Sequence, residues 1–398
     1  MISKPQPKQL LLSEIFPPVH GGSGRWFYEV YRRLDPGSFL MVVQESSQDI
    51  HEIDSHYPHP ILRENLHVDN RILSNWTSIR RYHQISDRLR NMVRQHNVSS
   101  IHAGRPLHEG LVARWMNIRY GIPYLCFIHG EDINIATTSR ELKILTQSIL
   151  KNAYRLVANS NFTVGLLRND WHVPEEKIAL MHPGIDVSKF SQAGRAPVAR
   201  KYTNAGDVVL LTVGRLQKRK GQDAVIRSVA KLRHKHPNLR YLIAGVGEQE
   251  AELRKLVAEL SLEKQVLFLG AVSDQDMMDC YRECDIFVMP NRAVGKDCEG
   301  FGIVFLEAQA HGIPVIAGAH GGTGDAMVHG VTGFRVDCQD SENPVHLTEA
   351  IDRLVSSPER RRSMGIGGRK FVTENFDWSR ISEWARIVLG ASDGANRC

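Results

Sequence analysis

The chain has 398 residues, of which 42% are hydrophobic and 24% are charged, and its formal net charge is +6. This composition is typical of a soluble globular protein, and the length predicts two domains rather than a single core. No segment reaches the ~20 consecutive apolar residues of a membrane-spanning helix, and residues 1–7 lack the apolar core of a signal peptide, so we expect a cytoplasmic protein.

Strand-like runs alternate with helix-like runs along the first half of the chain, which is the pattern of βαβ units in a parallel sheet. A first strand is predicted over residues 9–16, and the turn over residues 17–24 contains Gly21 and Gly22. A helix is expected from Trp26 onward. Further strands are predicted over residues 100–103, 124–128 and 155–159.

The segment over residues 71–94 carries a local excess of basic residues, with six arginines and a single acidic residue, Asp87. An apolar stripe at helical spacing is formed by Ile85, Leu89, Met92 and Val93. Two interpretations stay open: a solvated basic face on a core helix, or a helix that docks on anionic lipid headgroups. Because no recognition motif with interleaved aromatic residues accompanies the charge, we expect no nucleic-acid partner.

A turn and a hinge are predicted between the halves, where proline and glycine occur within residues 182–190 and polar sequence follows. A second alternating series has strands predicted over residues 208–213, 241–245, 266–269, 286–289 and 314–317. Both halves begin with a strand, so the sequence predicts an α/β protein with two facing Rossmann-like domains. Ligands of such sheets collect at the carboxyl ends of strands, and we therefore expect the site in a cleft between the domains.

Several residues follow predicted strands and are candidates for binding an anion or a sugar. Arg215 and Lys220 follow the first strand of the second half, where two cations suit a diphosphate, although a solvated basic turn has the same pattern. His129 directly follows an apolar strand and is either a site residue or a satisfied histidine of the core or surface. At Gly21 and Gly22 the backbone could approach a phosphate or sugar closely, and a plain tight turn is the alternative.

The segment over residues 297–308 combines carboxylates with a glycine-rich turn and an apolar run. A helix is predicted to begin near Gly302, and the free N–H groups at its start favour a bound anion. Glu299 would lie outside this helix mouth and Glu307 more than a turn inside it. Their carboxyl groups should reach different parts of one extended ligand rather than form the ~5 Å pair of a retaining glycosidase. The alternative is a glycine turn that caps a core helix beside two incidental glutamates.

The pair Glu299 and Glu307 resembles the Glu-x7-Glu element of glycosyltransferase family 4, whose members are retaining enzymes with two Rossmann-like domains. Other markers of that family occur in the expected order along nearly the whole chain: Gly21-Gly22, His129-Gly130, Asn159-Ser160, and residues 183–186, 213–216, 221, 245–247 and 268–270. The resemblance implies the GT-B fold with an interdomain cleft. It also implies an acceptor-binding domain over residues 1–190, a nucleotide-sugar-binding domain over residues 191–375, and a final helix at about 376–390 that crosses back to the first domain.

The resemblance also implies roles for individual positions. The implied catalytic residues are His129, Arg215, Lys220 and Glu299, and the implied nucleotide-sugar-binding residues are Gly21, Gly22, Val272, Asp274, Phe301, Gly302, Ile303 and Glu307. Arg215 and Lys220 would stabilise the leaving diphosphate, while His129 and Glu299 would hold the transferred sugar. Glu307 would accept hydrogen bonds from the ribose hydroxyls, and the amides at the helix start would face the sugar or the phosphates. Main chain near residue 272 would border the base, and the nearby Asp274 could read a guanine edge or simply cap a helix.

The implied reaction is the retaining transfer of a hexose from a nucleotide diphosphate sugar, with GDP-mannose and UDP-glucose as leading donors, to an acceptor hydroxyl. Front-face displacement is implied, in which the leaving phosphate helps to take the acceptor proton. A cytoplasmic chain with one basic amphipathic stretch suits a lipid-linked acceptor in polysaccharide or glycolipid assembly at the inner face of the membrane. The alternatives are a nucleotide-sugar epimerase or phosphorylase on the same fold, and a catalytically silent nucleotide-sugar-binding partner.

No cofactor and no essential metal are expected. The six cysteines show no CxxC pair and no zinc-ligand spacing. Residues 274–276 mimic an Asp-x-Asp metal motif, but they follow Ser273 at a predicted helix start, where acidic residues act as caps. Residues 245–247 hold only a fragment of a dinucleotide fingerprint. The Gly-Gly-x-Pro-Glu of many family members is replaced by residues 321–325, which leaves the role of Asp325 open.

Overall fold

The computed structural model describes residues 7–18, 21–46, 50–68, 76–190 and 200–390. The chain divides into two compact units, Met1–Gly184 with Trp378–Cys398 and Ile185–Asp377. The division precedes the predicted one because the residues after Gly184 pack on the second unit. The Ile185 backbone N–H donates to the Phe376 carbonyl at 2.8 Å, and the Phe190 ring lies 4.6 Å from the His311 ring.

The described part of the first unit contains a parallel sheet of seven strands in the order β3-β2-β1-β4-β5-β6-β7. The strands are β1 Lys8–Ser13, β2 Phe39–Gln44, β3 Ile61–Glu64, β4 Val98–Ala103, β5 Tyr124–Ile128, β6 Arg155–Ala158 and β7 Ile178–Leu180. The helices are α1 Gly22–Tyr31, α2 His51–Ser55, α3 Trp76–Gln95, α4 Leu111–Tyr120, α5 Glu131–Ala136, α6 Arg140–Asn152 and α7 Asn161–Asn169, with a turn over Pro106–Gly110. The sheet includes β2, β3 and β7, which the sequence analysis does not predict.

The second unit contains, within its described residues, a parallel sheet of six strands in the order β10-β9-β8-β11-β12-β13. The strands are β8 Val208–Val213, β9 Leu239–Ala244, β10 Val266–Gly270, β11 Ile286–Met289, β12 Val315–Gly318 and β13 Gly333–Val336. The helices are α8 Gln222–Leu232, α9 Glu250–Glu259, α10 Asp274–Glu283, α11 Ile303–Ala310, α12 Val345–Val355 and α13 Pro358–Asn375. The central strands are apolar runs because a parallel sheet is buried on both faces, and β11 is buried along its whole length.

Each sheet has one point at which the strand order reverses direction. In the first unit the chain moves from β1 to β2 and β3 on one side and then returns to β4 on the other side. In the second unit the corresponding reversal lies between β8 and β11. Ligands of open α/β sheets bind outside the carboxyl ends of strands at such switch points. The loops that follow β8 and β11 are therefore the first place to look for a site in the second unit.

The last helix, α14 Trp378–Gly390, belongs to the first unit. The Trp384 indole N–H donates to the Leu180 carbonyl at 2.8 Å, and the Arg155 guanidinium donates to the Val388 carbonyl at 2.7 Å. This is the helix that the family resemblance implies at about 376–390. The predicted α/β class with two Rossmann-like domains is confirmed, whereas the cleft between the domains stays a prediction.

Candidate functional site

Two loops of the second unit approach each other at its switch point. They are the loop over residues 214–221 after β8 and the loop over residues 290–302 after β11. The Arg292 backbone N–H donates to the Arg219 carbonyl at 2.9 Å. Gly221 has φ +77°, and a Cβ there would lie 2.4 Å from the Pro290 carbonyl oxygen. Only glycine fits that approach, so this residue holds the two loops together.

The carboxylate of Glu299 is the centre of this arrangement. Its Oε2 accepts hydrogen bonds from Arg219 Nη1 at 2.7 Å, Lys220 Nζ at 2.5 Å and Asn291 Nδ2 at 2.9 Å. No donor from the described residues faces its other oxygen, Oε1. Burial alone would raise the pKa of Glu299, but the Lys220 ammonium and the Arg219 guanidinium hold that pKa below its usual value. Glu299 is therefore ionised at neutral pH.

The backbone around Glu299 is held by glycines on both sides. Gly302 caps α11 with φ +90°, so the helix begins at the predicted place. Gly321 has φ +79°, and a Cβ there would lie 2.3 Å from the Glu299 carbonyl oxygen. The Gly322 N–H donates to the same carbonyl at 2.8 Å. The glycine pair of residues 321–322 thus supports the position of Glu299, and the role of Asp325 stays open.

Glu307 lies inside α11, where its side chain has partners different from those of Glu299. It is 5% exposed, and its Oε2 accepts a hydrogen bond from the Tyr281 hydroxyl at 2.8 Å. The Tyr281 ring stacks on the His311 ring, with centroids 4.8 Å apart and an interplanar angle of 18°. The described hydrogen bonds of the two glutamate side chains go to different residues, and their contacts to different parts of one ligand stay a prediction.

Arg215 differs from Lys220 because its side chain is exposed. Its loop is fixed by the Leu216 N–H, which donates to the Val246 carbonyl at 3.0 Å. A Cβ at Gly245 would lie 2.0 Å from the Gly214 carbonyl oxygen, so this glycine permits the close packing of two loops. The fragment over residues 245–247 positions the loop of Arg215 and is not a dinucleotide fingerprint.

His129 lies in the first unit, directly after β5. Its Nε2 lies 2.9 Å from the Gly104 carbonyl oxygen, and its Nδ1 lies 3.2 Å from the Ser23 hydroxyl. A carbonyl oxygen can only accept, so Nε2 carries the proton and Nδ1 of a neutral ring accepts from Ser23. The ring also packs edge-on against Trp26, with centroids 5.7 Å apart. His129 is a satisfied residue of this unit, and its contact with a sugar stays a prediction.

Gly21 and Gly22 lie at a helix start rather than in a separate turn before the helix. Helix α1 begins at Gly22 with Gly21 as its N-cap, upstream of the predicted start at Trp26. The helix reaches this far because Gly24 packs tightly on the preceding loop, where a Cβ would lie 2.9 Å from Ile15 Cγ2. Residues 19 and 20 of the predicted turn lie outside the described residues.

The Asp-x-Asp segment forms the first turn of a helix, where acidic residues suit the helix dipole, and Ser273 is the N-cap. The Ser273 hydroxyl accepts from the Asp276 N–H at 3.1 Å, and α10 begins at Asp274. Asp276 also pairs with Lys201. Asp274 is exposed and Val272 is partly buried, so their contact with a base stays a prediction. Within the described ranges there is no group of three His, Cys, Asp or Glu residues that could hold a metal ion, and the five cysteines there are buried and not in disulfide bonds.

The basic helix α3 turns its apolar stripe toward the core of the first unit. Ile85, Leu89 and Val93 are buried, with exposed fractions of 5%, 1% and 9%. Arg88 pairs with Glu64 at 2.9 Å, and the Arg90 guanidinium lies over the Tyr120 ring. Residues 71–75 lie outside the described part of the chain. Among the described helices, none is long and apolar enough to cross a membrane.

Arg219 and Asn291 bind Glu299 in this arrangement but are not predicted from the sequence. Arg219 is 5% exposed, although it stands in a run of three basic residues that reads as a solvated turn. Asn291 is 0% exposed and directly follows Pro290 at the end of β11. Its place after a predicted apolar strand, at the same sheet edge as Arg215, is the signal that could have identified it.

Comparison with known proteins identifies the class of this protein. A model described as "Glycosyl transferases group 1" matches residues 198–371, and one described as "Glycosyltransferase Family 4" matches residues 20–189. Together these matches cover most of both units. The chain belongs to glycosyltransferase family 4 and is a glycosyltransferase.

Among the individual proteins, mannosyltransferases are similar to this chain. It is 27% identical over 397 residues to the GDP-mannose-dependent monoacylated alpha-(1-6)-phosphatidylinositol monomannoside mannosyltransferase of Corynebacterium glutamicum, covering 96% of this chain and 97% of that protein. It is 32% identical over 222 residues to the GDP-mannose-dependent alpha-(1-6)-phosphatidylinositol monomannoside mannosyltransferase of Mycolicibacterium smegmatis, covering 54% of this chain and 57% of that protein.

A solved structure supports the fold. The Anabaena protein HepE in complex with UDP has a TM-score of 0.78 to this chain and 18% sequence identity. The alignment covers 96% of this chain and 100% of HepE. At this level of identity the likeness shows a shared fold.

Proposed function

We propose that this protein is a retaining, metal-independent hexosyltransferase that moves mannose from GDP-mannose to a hydroxyl of a lipid-linked glycan. The observation that carries the proposal is the state of Glu299, which is ionised, bound by three donors through Oε2, and without a donor on Oε1 among the described residues. A carboxylate oxygen held in this way accepts hydrogen bonds from sugar hydroxyls. The names of the similar mannosyltransferases favour mannose and guanosine diphosphate over the UDP-glucose alternative.

In the proposed reaction, the bond between the anomeric carbon and the diphosphate oxygen breaks as the acceptor oxygen bonds to the same face of the sugar. The leaving phosphate takes the acceptor proton. Lys220 uses one of its three N–H donors on Glu299, so it has donors left for a phosphate oxygen. The exposed guanidinium of Arg215 supplies a second cation at the same sheet edge. Removing one preorganised donor of this kind costs about 3 kcal/mol of transition-state stabilisation.

The nucleotide part of the donor is expected at the start of α11. The free N–H groups that follow Gly302 favour a phosphate, and Glu307 would accept from the ribose hydroxyls while Tyr281 holds its other side. The guanine would lie near residues 272–274, as the resemblance implies. These contacts give Glu299 and Glu307 separate roles along one donor molecule.

A lipid-linked acceptor and contact with an anionic membrane complete the proposal. The similar proteins act, by their names, on phosphatidylinositol mannosides. Helix α3 exposes Arg80 and Arg94, which could contact anionic headgroups on the cytoplasmic side of a membrane. Replacing both arginines with glutamine should weaken binding to vesicles that contain phosphatidylinositol and leave donor binding unchanged. Equal vesicle binding by the variant and the parent protein would contradict this part of the proposal.

The donor site is tested by thermal denaturation with GDP, UDP, ADP and their sugars, each with and without EDTA. A nucleotide at one hundred times its dissociation constant adds ~2.7 kcal/mol of stability, which raises the melting temperature by several degrees. We expect GDP and GDP-mannose to stabilise the protein whether or not EDTA is present. Stabilisation that disappears with EDTA would overturn metal independence, and the absence of any nucleotide effect would overturn the donor site.

The reaction itself is tested by product analysis. With GDP-mannose and a glycolipid acceptor, the anomeric configuration of the product should match that of the donor. Conversion of the donor without any acceptor would favour an epimerase or a phosphorylase instead. Azide should not rescue the Glu299→Ala variant. Formation of an inverted mannosyl azide would identify Glu299 as a covalent nucleophile and contradict front-face displacement.

A further inference from the structure

The Oε2 atom of Glu299 receives more hydrogen bonds than neutralising its charge requires. One ammonium group, that of Lys220, would already pair the carboxylate. The structure adds a guanidinium and an amide to the same oxygen. A carboxylate with three donors on one oxygen cannot turn about its terminal torsion without losing several hydrogen bonds. The direction of Oε1 is therefore fixed before any ligand arrives.

Arg219 is itself immobilised from two sides. Its Nη1 donates to Glu299, and its Nε lies 3.2 Å from an oxygen of Asp297. The Arg219 side chain is 5% exposed, and the Arg219 backbone carbonyl accepts a hydrogen bond from the Arg292 N–H in the loop after β11. A planar guanidinium is suited to bridging two carboxylates in this way. Arg219 thus locks residues 297–299 onto the loop after β8.

Asn291 is equally constrained. It is 0% exposed, and a Cβ at Gly318 would lie 1.7 Å from its carbonyl oxygen, so its backbone packs directly on the end of β12. Its Nδ2 donates to Glu299 at 2.9 Å, whereas its Oδ1 is buried without a hydrogen-bond partner among the described residues. A buried amide that leaves its oxygen unsatisfied costs stability and is typical of a functional site rather than of a core.

Lys220 and Arg219 therefore have different tasks. Lys220 has a flexible stem and further donors, so it can serve a phosphate and Glu299 together. Arg219 and Asn291 are held in place and bond only to protein groups in the described structure. We infer that Arg219 and Asn291 are positioning residues that aim Oε1 of Glu299 at a hydroxyl of the transferred sugar and so determine which sugar the site accepts. This inference rests on the proposed role of Glu299 toward the donor sugar.

The test separates binding of the sugar from binding of the nucleotide. The dissociation constants of GDP and of GDP-mannose are measured by titration calorimetry for the parent protein, and their ratio reports the contribution of the sugar. The variants are Glu299→Gln, Arg219→Gln, Asn291→Ala and the milder Asn291→Ser. The matched control is Arg292→Gln, which removes another buried arginine of these loops that pairs with Asp223 and not with Glu299.

We expect Arg219→Gln and Asn291→Ala each to reduce the ratio of the GDP dissociation constant to the GDP-mannose dissociation constant by about tenfold, because each removes a hydrogen bond to a charged group. The dissociation constant of GDP should stay within about threefold of the parent value. Arg292→Gln should lower the melting temperature without changing the ratio. If Arg219→Gln does not fold, the two Asn291 variants decide the test.

Two failures are distinguishable. If Glu299→Gln leaves the ratio unchanged, the role of Glu299 toward the sugar is wrong and the proposed function fails with it. If Glu299→Gln lowers the ratio while the Arg219 and Asn291 variants keep the parent ratio, the proposed function stands and the positioning inference is overturned. A change in the ratio for Arg292→Gln as large as that for Arg219→Gln would also overturn it, since general loop damage would then explain both.

Discussion

Replacing Glu299 with glutamine should destabilise the second unit far more than the loss of one hydrogen bond would. The substitution removes the negative charge but leaves the Arg219 guanidinium and the Lys220 ammonium beside each other, and Arg219 is 5% exposed. Removing one partner of a buried ion pair costs about 3 kcal/mol or more, because the remaining charge is left without compensation. In a domain of this size, that cost corresponds to a fall of about 6–12 °C in melting temperature.

The second step of this prediction is a double-mutant cycle. Adding Arg219→Gln to Glu299→Gln removes one of the two cations that lose their shared carboxylate, so the double variant should recover about 2 kcal/mol relative to the sum of the single effects. The assay is differential scanning calorimetry of the full chain, in which the transition of the second unit is followed. The control is Arg240→Gln at the amino end of β9, where Arg240 pairs with Asp207 at 3.2 Å on the opposite edge of the sheet.

The changes in the free energy of unfolding caused by Arg240→Gln and Glu299→Gln should be additive within about 0.5 kcal/mol. The reasoning is refuted if Glu299→Gln melts within a degree or two of the parent protein. It is also refuted if the stability losses of Glu299→Gln and Arg219→Gln are as additive as those of Glu299→Gln and Arg240→Gln. Either result would mean that the three groups do not form a coupled charge network. The cycle measures stability, so its outcome is independent of the identity of the donor.

Three further predictions test the same site. The pKa of Glu299 is lowered in the folded state, so its ionised form stabilises the protein at pH values above the ordinary glutamate pKa. This stabilisation is lost as the pH falls through the lowered pKa. The difference in melting temperature between the parent protein and Glu299→Gln should therefore disappear in acid and be constant from pH 6 to 8. Lys220→Met should lower kcat by about 10²–10³-fold, whereas Lys218→Met, at an exposed neighbour, should keep the parent rate in a transfer assay; equal rates for both variants would refute a role of Lys220 toward the phosphate. Gly321→Ala should melt several degrees below Gly330→Ala, because both glycines have φ +79° but a Cβ clashes with the Glu299 carbonyl only at Gly321. Equal melting temperatures would show that the backbone around Glu299 moves to accommodate the Cβ.

The central strands could be predicted closely from the sequence because burial on both faces makes them continuous apolar runs. Strands β5, β8 and β11 have the predicted bounds. The edge strands β3 and β7 are short and only partly buried, so their residues carry no such signal. Strand β2 is an apolar run of the same kind as the predicted strands, and the sequence contained the information to find it.

The candidate site shows where reasoning from sequence stops. The start of α11 at Gly302 follows from local glycine chemistry and was predictable. The burial of Arg219 was not, because it depends on a loop that is distant in sequence and brings Asp297 and Glu299 to it. The hydrogen bonds of His129 likewise come from Ser23 and from a third loop. The type of a residue and its position relative to a strand indicate its role. Its hydrogen-bond partners depend on tertiary packing, which the local sequence does not specify.

The membership of α14 in the first unit has a consequence for synthesis of the protein. The second unit is one continuous stretch, Ile185–Asp377, and its two end residues lie side by side in a parallel bridge. All of its residues precede the last helix in the chain, so they emerge from the ribosome before it does. The second unit can therefore complete its core while the first still lacks the helix that covers Trp26, Tyr31 and their neighbours. We expect the half that begins the chain to be the last to finish folding.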